Sequence, residues 1–266
     1  MGFRRESAAP YAVWRAASLA ACGLACDMIA GAARGPQVHA AGLTFASPVG
    51  VSAGVDPSGR VGRRFGRLGF GFAEVGSVTL RPEPGRAALD DVCANLARDQ
   101  DRLSDHDRRT MLGAVVAAGR EGHAARDILI CLERLAPWVD YVTLTLCGRR
   151  GRPRWTTSEA EPIIQDIARG RARHFGRMPL LVKLPATADC ARLVQVAMAA
   201  GYSAAVVENG GRSLISELAE TAPVIAVGQV RCAQDVSAAL GAGACLVQVC
   251  RPVMRWGPFA ALGLCI

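Results

Sequence analysis

Lys183 is the only lysine in the chain, against thirty arginines. It falls inside the apolar run Leu180-Leu181-Val182-Lys183-Leu184. A composition this biased uses arginine wherever arginine serves, and a cation inside a buried run is costly unless an anion meets it. Two readings of Lys183 stay open: an ammonium that faces an anionic ligand, or a lysine paired with a structural carboxylate such as Glu208.

Other residues with chemical potential lie where apolar runs end. Cys147-Gly148-Arg149-Arg150 joins a thiol to two guanidinium groups. The arginine pair suits a carboxylate or phosphate ligand, and equally suits a solvated loop of an arginine-rich chain. Gly54, Gly211 and Gly228 follow apolar runs, where backbone N–H groups can meet a phosphate or where glycine simply permits a tight turn. Ten dispersed cysteines show no Cys-x-x-Cys or zinc spacing. They read as small buried hydrophobes in a reducing cytoplasm, with no metal site expected. The net charge of +8 is spread over single arginines and pairs, without aromatic interleaving, so nucleic-acid binding is not expected.

These residues need a scaffold, and the apolar pattern supplies one. With 266 residues, 51% hydrophobic and 5% aromatic, the chain suits one α/β domain with an aliphatic core. Eight short apolar runs read as buried strands, at 48–54, 72–78, 112–117, 141–146, 180–184, 204–208, 224–227 and 245–249. Helix candidates lie between them at 60–68, 124–135, 158–175, 188–200, 214–221 and 232–240. Eight alternating units predict a single parallel (β/α)8 TIM barrel, with chemistry at the C-terminal strand ends. No Gly-x-Gly-x-x-Gly turn follows the first strand, which argues against a Rossmann dinucleotide site. Residues 1–37 read as a short N-terminal helical extension that ends at Gly35-Pro36, and residues 38–266 as the barrel. The apolar stretch 16–33 is too short and mixed to span a bilayer, although residues 1–33 suit peripheral membrane contact.

Three segments carry a family resemblance. Gly42-Leu43-Thr44-Phe45-Ala46-Ser47-Pro48-Val49-Gly50, followed by Ser52-Ala53-Gly54-Val55-Asp56, resembles the first barrel strand of dihydroorotate dehydrogenases. Leu68-Gly69-Phe70-Gly71-Phe72-Ala73-Glu74-Val75-Gly76-Ser77-Val78-Thr79, running into Arg81-Pro82-Glu83-Pro84-Gly85, resembles the second. Gly241-Ala242-Gly243-Ala244-Cys245-Leu246-Val247-Gln248 with Trp256-Gly257-Pro258 is similar to the last strand and helix. The resemblance covers roughly residues 38–260 and is nearest to the membrane-associated, quinone-using class, whose N-terminal extension is longer.

The resemblance implies an FMN-dependent oxidoreductase of pyrimidine biosynthesis, acting on CH–CH donors, cytoplasmic or peripheral on the inner face of the membrane. Ser52, Ala53, Gly54, Ser77 and Lys183 would meet the flavin, with Lys183 favouring its negatively charged reduced form. Gly211, Gly228, Cys250 and Arg251 would hold the phosphate. Asn209, Arg149 and Arg150 would face a small anionic substrate.

The sequence departs from the family at the substrate side. Asp56-Pro57 stands where the family has Asp-Lys, and the strand-four end places Gly148 at the position of the catalytic base. Glycine cannot take a proton, so the usual dihydroorotate oxidation cannot run unchanged. Cys147, one residue away, reaches that place only through a backbone bulge. The run 114–118 is apolar where the family places an asparagine near Val115, and the family's asparagine-rich segment has no clear counterpart between Pro84 and Met111. Two classes therefore stay open, an active flavin oxidoreductase and an inactive barrel kept as an anion-binding, flavin-binding or interaction protein.

Overall fold

The computed structural model describes residues 8–29, 31, 35–119, 123–148, 152–174, 176 and 178–264. Its centre is a closed ring of eight parallel strands: β1 (Val49–Asp56), β2 (Phe72–Thr79), β3 (Met111–Val116), β4 (Tyr141–Thr145), β5 (Leu180–Pro185), β6 (Ala204–Glu208), β7 (Val224–Val227) and β8 (Leu246–Val249). Each strand pairs with its neighbours in sequence, and β8 pairs back onto β1, with Val247 opposite Val49. The expected TIM barrel is present, with all eight expected strands. The stretch 42–50 divides, however. Leu43–Phe45 belongs to an antiparallel hairpin with Val38–Ala40, and the barrel strand starts only at Val49. The hairpin turn puts Ala41 and Gly42 both at positive φ, 53° and 75°. That geometry favours Asn-Gly or Gly-Gly, so Ala41-Gly42 gave little sequence signal for it.

The hairpin closes the bottom of the barrel. Phe45 meets the Phe72 ring edge-on at 5.2 Å and the Tyr141 ring at 6.2 Å. The strands on either side of β2 leave room for these rings. A Cβ on Gly50 would come within 2.5 Å of Phe72, and one on Gly113 within 2.3 Å of Tyr141. Aromatic bulk on two strands thus requires glycine on their neighbours. Above this plug the side-chain period of two turns Ser52, Glu74, Thr143, Lys183 and Gln248 into the barrel, one pleat closer to the mouth.

Helices cover the outside. Five expected helices appear as Ala124–Leu135, Thr157–His174, Cys190–Ala199, Arg212–Ala219 and Ala233–Gly241, while 60–68 becomes a 3-10 helix at Gly62–Leu68. The helix Leu89–Gln100 and the short helices Asp105–Arg108, Arg251–Trp256 and Ala260–Gly263 were not anticipated.

The N-terminal helix α1 (Ala8–Met28) stops well before Gly35-Pro36, the stop expected from sequence. It packs on Gly62–Leu68, Arg251–Trp256 and Gly257–Phe259. Its inward seam is small and partly polar: Ser18, Cys22 and Cys26, spaced four residues apart. The Ser18 hydroxyl donates to the Met254 carbonyl at 2.8 Å. Arg67 donates to the Cys26 carbonyl at 2.8 Å and grips the buried carboxylate of Asp107 through two nitrogens, at 2.8 and 2.6 Å. One guanidinium therefore ties α1, the 3-10 helix and Asp105–Arg108 together.

Candidate site at the barrel mouth

Lys183 lies opposite Thr145 of β4 and next to the end of β6, where Pro185 pairs with Glu208. Its Nζ is 3.5 Å from Glu208 Oε2. Burial opposes the ammonium charge, but the neighbouring Glu208 carboxylate outweighs it and holds the lysine pKa above its usual value. The carboxylate partner considered from sequence is thus in place. The pair sits at the mouth and not in the outer core.

A buried carboxyl lies deeper in the barrel. Glu74 of β2 is fully buried and accepts a hydrogen bond from the Thr143 hydroxyl at 2.8 Å. The Gln248 amide and Tyr141 hydroxyl turn toward the same group. Burial raises the Glu74 pKa, and the Lys183 charge and these donors only partly offset it. Sequence reasoning did not single out Glu74. A charged residue inside Phe72-Ala73-Glu74-Val75, one pleat above Phe72, was the available signal.

The strand-four end has a distinct shape. Gly148 donates its N–H to the Arg152 carbonyl at 2.6 Å, and Cys147 forms an antiparallel bridge with Pro153, so the chain folds back on itself. A Cβ at Gly148 would meet the Arg152 and Pro153 carbonyl oxygens at 3.2 and 3.4 Å and the Arg154 Cα at 3.6 Å. A side chain there would face the loop's own backbone. Cys147 is buried, with Sγ 3.9 Å from the Lys183 carbonyl oxygen. Burial, reinforced by the Glu208 charge, pushes its thiol up to about 12, so it stays protonated near neutral pH. Arg149 and Arg150 lie outside the described residues.

The other candidates surround the mouth. Ser52 and Ala53 are buried, Gly54 is exposed and Ser77 half-buried. The Asp56 carboxylate accepts three backbone N–H bonds, from Arg60, Val61 and Gly62, at 2.8, 2.8 and 2.9 Å. It caps the turn into the 3-10 helix. Asn209, at φ 61°, places its side-chain oxygen where a Cβ on Gly228 would be, 2.4 Å away, and Gly228 takes φ 103°. Only glycine fits that turn. The helices Arg212–Ala219 and Arg251–Trp256 begin at Gly211 and Cys250 without side-chain caps, and Arg251 is exposed. Among the described residues there is no cluster of ligating side chains able to hold a metal ion.

Fold and site together define a single parallel barrel with a polar mouth built on an ion pair. Curated proteins named dihydroorotate dehydrogenase (quinone) are similar to the chain at this level. The one from Nitrosomonas eutropha is 26% identical over 282 residues, covering 83% of this chain and 82% of its own. That of Stenotrophomonas maltophilia is 27% identical, covering 82% and 79%, and that of Burkholderia pseudomallei is 28% identical, covering 89% and 86%. A crystal structure of ligand-free DHODH from Eimeria tenella matches with a TM-score of 0.78 over 95% of this chain and 92% of its own, at 21% identity, which speaks for the fold. No family model matches the chain. Over most of its length the chain is similar to dihydroorotate dehydrogenases, the family that the sequence motifs resemble.

Proposed function

We propose that the protein is an FMN-dependent oxidoreductase on a dihydroorotate dehydrogenase-type barrel, acting on a small anionic substrate. The observation that carries this reading is Lys183, an ammonium buried in the barrel mouth of a chain whose relatives are dihydroorotate dehydrogenases. The donor set at the mouth fits a flavin nucleotide. Lys183 offers a cation to the ring, beside Ser52, Ala53, Gly54 and Ser77. The uncapped turns at Gly211 and Cys250, the glycine-only turn at Gly228 and the Arg251 guanidinium offer N–H groups to a phosphate. FMN bound there would supply a two-electron acceptor. Asn209, Arg149 and Arg150 are the residues assigned to the substrate.

The chain's own side chains then set the chemistry. Lys183 favours negative charge at the ring, and the Gly148 backbone offers no proton acceptor of the family kind. Oxidation of dihydroorotate itself is therefore expected to be slow or absent. Residues 38–266 form the catalytic unit and 1–37 an extension. The outward face of α1 supports peripheral membrane contact, on a cytoplasmic enzyme, through residues 1–33. Val13, Trp14, Leu24 and Met28 are each about two-thirds exposed or more, next to exposed Phe259 and Leu262. Among the described residues no helix is long and apolar enough to cross a membrane.

The second reading, a barrel that binds an anion or flavin without turnover, is favoured by the missing side chain at 148. Loading with FMN followed by anaerobic addition of dihydroorotate separates the two. Protein that binds FMN and is reduced by any CH–CH donor is an oxidoreductase, and protein that takes up no FMN contradicts the proposal.

A further inference from the structure

Three acidic side chains stand on the inner faces or mouth ends of the described barrel strands: Asp56, Glu74 and Glu208. Asp56 is 1% exposed and engaged by three backbone N–H groups. Glu74 is fully buried below the mouth, where burial favours its protonated form. Glu208 differs from both. Its side chain keeps 25% exposure, stands at the rim, and among the described residues its ion-pair partner is Lys183 at 3.5 Å. Its backbone is fixed on both sides by β5 and β7, opposite Pro185 and Val227. Neither Cys147 nor position 148 competes: a side chain at 148 would face the loop's own backbone, and the Cys147 thiol holds its proton.

We infer that Glu208 is the proton acceptor of this mouth, with Lys183 as its counter-ion, replacing a base that the strand-four loop no longer carries. The inference rests on the oxidoreductase reading and adds the residue that handles the proton. The substrate class is a carbon acid with a CH–CH unit beside a carbonyl. The C–H bond next to the carbonyl breaks, and its proton passes to a Glu208 carboxylate oxygen. FMN held at the mouth would take a hydride from the neighbouring carbon, so that the substrate would gain a C=C bond and the cofactor two electrons. Once Glu208 is neutral, the Lys183 charge is no longer compensated by it and lies beside the negative charge that arrives with the hydride. Proton and hydride transfer are thereby coupled through one ion pair.

The test reads proton transfer apart from turnover. Wild type, Glu208→Gln, Glu208→Asp and Gly148→Ser are incubated in deuterated buffer with dihydroorotate, dihydrouracil and succinate. Deuterium uptake next to the carbonyl is followed by NMR, and FMN affinity by fluorescence quenching. Wild type is expected to exchange at least one of these faster than buffer. Glu208→Gln should lower that rate about a hundredfold with FMN affinity nearly unchanged, Glu208→Asp should keep part of it, and Gly148→Ser should add nothing. Exchange that survives in Glu208→Gln, a gain in Gly148→Ser, or no wild-type exchange with any of the three overturns the assignment. Bound FMN alongside such a result leaves the oxidoreductase reading standing, whereas wild type that binds no FMN but still exchanges overturns that reading alone.

Discussion

Lys183 and Glu208 carry opposite charges at the narrowest part of the mouth, and each determines what the other can do. A lysine held charged by a carboxylate at 3.5 Å is a fixed cation, available to a ligand only where the ligand can share it. Lys183→Ala should weaken FMN binding roughly tenfold or more and leave the fold intact, read by fluorescence titration and circular dichroism. Unchanged affinity would remove the lysine from the cofactor site. The placement of Lys183 on a barrel strand was legible because a lone lysine interrupts an apolar run. Its pairing with Glu208 was legible only as one option, since the 18-residue loop-and-helix path between β5 and β6 gives no register. Glu74 was not singled out, because inward and outward parity becomes visible only once Phe72 and Tyr141 are seen to plug the barrel.

At the scale of elements, α1 and the short helix Asp105–Arg108 are held by charge and hydrogen bonds more than by apolar packing. Burial works against ionisation of Asp107, but the Arg67 guanidinium and the Ser104 backbone and hydroxyl donors outweigh it and hold its pKa at about 2. A carboxyl depressed in the folded state stabilises above its ordinary pKa of 3.8, and that stabilisation is lost as pH falls toward about 2. The loss should be roughly 2 kcal/mol across that window. Asp107→Asn should flatten this part of the pH–stability curve measured by urea unfolding, and an unaltered slope would place the effect elsewhere. The strands and most barrel helices were readable from apolar periodicity. The hairpin was not, because Ala41 occupies a left-handed position with no glycine or asparagine to mark it, and α1 ends at Met28 because its inward Ser18, Cys22 and Cys26 seam ends there.

At the scale of the whole molecule, the framework is similar to that of the dihydroorotate dehydrogenases. The N-terminal helix completes one flank with Cys22 and Cys26 in the core, and it leaves a second apolar face, Val13, Trp14, Leu24 and Met28, turned outward. The double substitution Trp14→Glu with Leu24→Glu should lower co-sedimentation with lipid vesicles several-fold without altering FMN binding. Equal sedimentation would mean that this face serves something other than a membrane. The central claim is that the mouth holds a flavin for redox chemistry. Titration of the purified protein with FMN, followed by fluorescence quenching, tests it most directly. Saturable binding at one flavin per chain is predicted, with absorbance that bleaches on reduction. Protein that remains colourless and leaves FMN fluorescence unquenched would contradict the account.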